Sequence, residues 1–135
     1  MTPTDPPARR LLTLPLGADS TTVPAARHQL AAVLREHPVP DELADAILLV
    51  ASELVTNAVE HGGGAERLEL EREPDAVVLR VSDRGPGLPE QRPRPLDSVR
   101  GRGLALVEAL TSGWGYQQED GGKSVWSRFE LPQQN

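Results

Sequence analysis

Apolar and polar positions alternate along this chain with two distinct periods, and the changes of period divide it into elements. Residues Arg10–Leu16 form a short apolar stretch that reads as a strand, with Pro15 confining it to a sheet edge or a strand end. Thr21 and Thr22 ahead of Val23-Pro24 are a helix-start signal, a hydroxyl cap with proline tolerated in the first turn. Ala26, Leu30, Val33 and Leu34 then share one side of a helix that runs to about His37, where Pro38 and Pro40 end it. Asp41 caps a longer helix to about His61, stopped by Gly62-Gly63-Gly64. From Arg67 to Glu73 the period drops to two, Leu68 and Leu70 against Glu69 and Glu71, which marks a half-exposed strand. A turn at Pro74-Asp75 leads into the denser apolar strand Ala76–Ser82, and the two predict a hairpin.

Proline-rich sequence follows, with Pro86, Pro89, Pro93 and Pro95 between Gly85 and about Gly101. A structureless stretch of that length in a small domain points to a binding loop or a lid. A third helix is predicted over about Gly103–Thr111 on the spacing of Leu104, Leu106, Val107 and Leu110. Trp114–Glu119 and Ser124–Leu131 predict a closing hairpin around Asp120-Gly121-Gly122. The order β-α-α-β-β-loop-α-β-β is that of an α+β protein, a two-layer α/β sandwich. It implies one mixed, mainly antiparallel sheet with its helices on one face. Residues 1–9 are proline-rich and polar and predict a disordered N-terminal tail, with one domain over residues 10–135.

Composition narrows the classes of function. A chain of 135 residues suffices for one domain with a real core. It contains no apolar run near the about 20 residues of a membrane span, and Pro15 and Gly17 break the only stretch near the N-terminus that resembles a signal peptide. No cysteine is present, which excludes disulfides, thiolate metal sites and cysteine nucleophiles. A cytoplasmic location fits. The net charge of −6 argues against direct binding to nucleic acid, which needs a cationic surface. Charge is unevenly spread all the same. No Lys or Arg lies between Pro38 and Ala65, whereas Arg84, Arg92, Arg94, Arg100 and Arg102 cluster after Asp83. That cluster fits a small polyanionic ligand, or simply a solvated loop.

Three segments carry candidate chemistry. On the second helix, Leu43, Ile47, Val50, Leu54 and Ala58 lie within about 80° of one another, with Ala51 and Val55 widening the stripe. Asn57 sits at the edge of that stripe and Glu53 just beyond it, one turn earlier. A carboxylate and an amide at that spacing face the same space and either pair, meet a ligand or form a solvated flank. Asp83 closes an apolar strand before Arg84-Gly85-Pro86-Gly87. An Asp-x-Gly turn is common in its own right. The functional alternative is a carboxylate that accepts a hydrogen bond from the exocyclic amine of a base, with Gly85 and Gly87 permitting close approach. Gly101-Arg102-Gly103-Leu104 opens a helix, where free N–H groups and the helix dipole favour phosphate. Neither a P-loop nor a Rossmann fingerprint is present.

In this order the segments resemble the GHKL (histidine-kinase-like) ATPase superfamily. Glu53 and Asn57 look like its asparagine box, Asp83-x-Gly85-x-Gly87 like its first glycine box, and Gly101-x-Gly103-Leu104 like its second. The wording from Glu53 through Glu60-His61-Gly62 is most similar to the anti-sigma-factor serine kinases, a small single-domain branch, as is Gly122-Lys123-Ser124-Val125-Trp126. The resemblance spans about residues 10–131.

It implies ATP and Mg²⁺ as cofactors. Asn57 would bind the metal, Asp83 the adenine amine, and Gly85 and Gly87 would shape the base pocket. Gly101 and Gly103 would hinge a lid and contact phosphate beside Leu104, and Glu53 would act as general base. Local charge adds Arg100 and Arg102 as groups that neutralise the transferring phosphate. The function implied is a protein-serine/threonine kinase and anti-sigma regulator. It would phosphorylate an anti-anti-sigma (STAS-type) protein and hold a sigma factor, and relatives in this branch often pair as homodimers. The alternative is an ATP-binding module that sequesters its partner without significant catalysis. No phosphoacceptor helix is visible, and His28, His37 and His61 read as surface or helix-end residues.

Overall fold

The computed structural model describes residues 8–61, 64–84, 99–119 and 121–132. Its elements in chain order are β1 (Arg9–Pro15), α1 (Thr22–Glu36), α2 (Asp41–His61), β2 (Ala65–Glu73), β3 (Ala76–Asp83), α3 (Val99–Leu110), β4 (Gly113–Glu119) and β5 (Gly122–Glu130). The strands form one five-stranded sheet in the order β1-β2-β3-β5-β4. The sheet was expected to be mixed and mainly antiparallel, and all four pairings among the described residues are antiparallel. The reason is topological. Two of the pairings are hairpins, and β5 returns beside β3 in the opposite sense after α3 and β4. Pro15 lies on edge strand β1, where its missing N–H leaves no ladder bond unmade.

The strand alternation read from the sequence decides which face is covered. Leu68 and Leu70 of β2, Val77, Leu79 and Val81 of β3, and Phe129 of β5 point to one side and are buried there. Against them lie Ala26, Leu30 and Leu34 of α1 and Ile47, Val50, Ala51, Leu54, Val55 and Ala58 of α2, with Val107 of α3. Leu43, at the head of the α2 stripe, is only partly buried. On the opposite face the ladder is charged. Arg10 bridges Glu69 at 2.6 Å and Glu71 at 3.0 Å, and Arg128 pairs with Glu73 and Asp75. Such exposed pairs contribute at most about 1 kcal/mol each, so cohesion comes from the helix-covered side. No described helix is long and apolar enough to cross a membrane.

Two helix starts differ from expectation. Thr21 precedes α1 but makes no capping bond with its side chain. Its hydroxyl and its backbone N–H instead both donate to the Asp19 carboxylate. Asp19 thus organises the turn, and these bonds hold its carboxyl below the usual range, the hydroxyl contributing most. α3 begins at Val99 rather than near Gly103. Gly101 and Gly103 are therefore inside its first turns instead of preceding them, although each glycine costs the helix about 1 kcal/mol relative to alanine. Packing against α2 and β4 and complete burial of Val107 outweigh that cost.

Candidate active site

The fold brings the end of α2 and the end of β3 to one end of the sheet. β2 begins immediately after α2, and its first residue, Ala65, pairs with Asp83 at the end of β3. The turn between them is fastened by the Arg84 N–H, which donates to the Gly64 carbonyl at 2.9 Å. Gly64 has φ +133°, a conformation that residues with a side chain rarely adopt. The C-terminal half of α2 and the end of β3 therefore share this edge. α3 is tied to the sheet at the opposite end. Its last residues lead through Ser112, whose N–H donates to the Arg128 carbonyl, into β4 at the far end of the sheet. α3 itself has 12 residues and is about 18 Å long.

Within this frame Glu53 and Asn57 are both half-buried on the flank of α2. Leu54, Val55 and Ala58 beside them are sunk into the core, which fixes the backbone that carries the two polar groups. On the neighbouring flank, Ser52 Oγ donates to the Leu48 carbonyl and accepts from Arg27, both at 3.0 Å.

Asp83 is 6% exposed and Lys123 is 7% exposed. Lys123 Nζ donates to Asp83 Oδ1 at 3.1 Å. The register explains the meeting, because Asp83 and Lys123 are direct partners across the β3–β5 ladder and lie on its helix-covered face. Gly122 makes the approach possible. A Cβ at that position would stand 1.9 Å from the Asp83 carbonyl oxygen, so only glycine lets β5 begin so close to the end of β3. Lys123 was not among the site residues expected from the sequence. The sequence signals toward it are that it is the only lysine in the chain and that it stands in the Gly122–Trp126 segment of the resemblance; its pairing with Asp83 required the non-local β3–β5 register.

At the start of α3, the first-turn N–H groups have no carbonyl partner within the helix. Gly101 lies in that turn and Gly103 two residues later. The side chains of Arg100, Arg102 and Leu104 lie outside the described residues, as do Gly85 and Gly87 in full.

The described residues include no group of three or more His, Cys, Asp or Glu able to cage a metal. The donor at hand is a hard oxygen, that of the Asn57 amide. It fits Mg²⁺, which keeps several waters and takes one or two protein ligands alongside phosphate oxygens.

Comparison with known proteins agrees with this architecture. Residues 16–129 match the histidine kinase-like ATPase domain, and the chain belongs to that family. In a search of solved structures, it superposes on the RsbU and RsbW domains of Rv1364c from Mycobacterium tuberculosis with a TM-score of 0.70 and 27% identity, covering 93% of this chain and 33% of that one. It is 51% identical over 59 residues to the sensor histidine kinase GtrS of Pseudomonas aeruginosa, covering 39% of this chain and 12% of that protein. It is also 32% identical over 80 residues to the signal transduction histidine-protein kinase AfsQ2 of Streptomyces coelicolor, covering 48% of this chain and 15% of that protein. The chain thus matches only a small part of the length of these curated relatives. It is an α+β domain of the histidine-kinase-like ATPase type, and family membership implies ATP binding.

Proposed function

We propose that this domain binds Mg·ATP and acts as a protein-serine/threonine kinase in an anti-sigma regulatory system, phosphorylating a serine of a STAS-type anti-anti-sigma partner. The observation that supports the reading best is that the half of α2 carrying half-buried Glu53 and Asn57 ends at the same edge of the sheet as buried Asp83. The wording of α2 around Glu53 and Asn57, which resembles the anti-sigma-factor serine kinases, supports the choice of a serine acceptor.

In this reading Asp83 accepts a hydrogen bond from the adenine amine. The free N–H groups at the start of α3 meet phosphate, and Asn57 holds Mg²⁺ through its amide oxygen. The metal supplies neutralisation of phosphate charge. Glu53 accepts the proton of the attacking serine hydroxyl. The hydroxyl oxygen bonds to the γ-phosphorus as the bond to the bridging oxygen breaks, and ADP leaves.

Calorimetry tests the site. Asn57→Ala and Asp83→Asn are each expected to abolish Mg·ATP binding that the wild type displays. Asp83→Asn also strands the Lys123 ammonium, a loss of roughly 3–5 kcal/mol of stability. Each variant's melt is therefore recorded first, and affinities are compared below its transition. Unchanged affinity in both folded variants rejects the site.

A further inference from the structure

The buried ion pair at the end of the sheet holds a second polar group, the Lys123 ammonium, to which the proposed kinase site assigns no contact with the nucleotide. A role for it there rests on the same nucleotide reading. Desolvating an ammonium together with a carboxylate is costly even when the two pair well. The same face of the β3–β5 ladder does without such a device elsewhere: Val77 opposes Phe129, Leu79 opposes Ser127 and Val81 opposes Val125. The charged pair stands only at the last position, where the ladder meets the candidate site.

Lys123 is moreover a donor with capacity to spare. An ammonium carries three N–H groups, and among the described residues Asp83 is its one hydrogen-bond partner. With 9% of its side chain exposed, Lys123 has little water to satisfy the remainder. A buried donor left unsatisfied costs free energy, which an acceptor arriving with a ligand would recover.

The spacing identifies the acceptor. Asp83 Oδ1 and Lys123 Nζ lie 3.1 Å apart, so an acceptor and a donor are presented side by side. The edge of adenine carries the complementary pair on neighbouring atoms, the N6 amine as donor and ring N1 as acceptor. We propose that Lys123 is a second base-reading residue, donating from Nζ to adenine N1 while Asp83 accepts from the N6 amine. The pair then recognises the base at two points, and the ammonium also holds the carboxylate in place for its share of the contact.

Calorimetry with ATP and with 1-deaza-ATP, in which N1 is replaced by C–H, tests this. A hydrogen bond from a charged donor makes 1-deaza-ATP bind the wild type about tenfold or more weakly than ATP. In Lys123→Met that preference falls to about twofold or less, because the partner of N1 is gone; a purely structural lysine would weaken both ligands equally and keep the preference. Lys123→Gln, which keeps a polar partner for Asp83 but shortens the reach, serves if the methionine variant does not fold, and its preference should fall likewise. Equal binding of the two ligands by the wild type overturns the proposal, as does a tenfold preference that survives in either folded variant. Absence of binding by both ligands overturns the nucleotide reading itself, a result distinct from equal binding.

Discussion

Glu53 and Asn57 hold the same relation in the structure as on the helical wheel, one turn apart on a single flank and half-buried beside Leu54, Val55 and Ala58. That relation was legible because it is local: 3.6 residues per turn and the identities of the neighbouring apolar residues suffice. It also separates two roles. A general base acts on the hydroxyl proton and contributes little to holding the nucleotide, so Glu53→Ala should bind Mg·ATP within about twofold of wild type. Its phosphotransfer rate should fall by roughly 10²–10⁴. Transfer of labelled γ-phosphate to a partner serine measures this, and a wild-type rate in the variant would show that the carboxylate is not the base. Thr21 illustrates the limit of reading at this scale. A threonine before a helix is a sound capping signal, but Asp19 two residues earlier engages both its hydroxyl and its N–H. The nearer, charged acceptor wins.

At the scale of elements, glycine was read as punctuation, and the structure separates several uses of it. In α3, Gly101 and Gly103 sit within the helix because tertiary packing carries it past them. At the start of β5, Gly122 has the Asp83 carbonyl oxygen where its Cβ would be, at 1.9 Å. In β4, the corresponding clash at Gly115 is with the Trp126 ring, 2.8 Å away. A ring can swing aside and a ladder carbonyl cannot move without its strand. Gly122→Ala should therefore destabilise the domain by about 1–3 kcal/mol and weaken ATP binding, since it pushes Lys123 and Asp83 apart. Gly115→Ala should cost less and leave ATP affinity unchanged. Urea melts and calorimetry on the two variants make the comparison; equal effects would mean that the approach of β5 to β3 does not shape the site.

Across the whole molecule, the covered and charged faces of the sheet keep a net charge of −6 compatible with a compact core. Glu69, Glu71 and Glu73 of β2 are matched by Arg10 and Arg128 on the open side, while the helix side holds the Lys123–Asp83 ion pair at the site end. Whether the domain transfers phosphate or only holds a partner is a property of the complete assembly. Incubation with labelled ATP and a STAS-type protein is expected to label a serine on that protein. A stable, nucleotide-dependent complex with no label would mean that the domain sequesters its partner without catalysis.

Local periodicity determined α1, α2, the two hairpins and the core stripe of α2, because each depends on residues a few positions apart, whereas packing set the start of α3. The motif residues were likewise visible as types at fixed spacings. Only the folded chain decided that β5 lies against β3 and that Lys123 therefore meets Asp83, 40 residues distant in sequence. Those meetings depend on sheet order and strand register, which come from the competition among all available pairings and leave no mark at any single position.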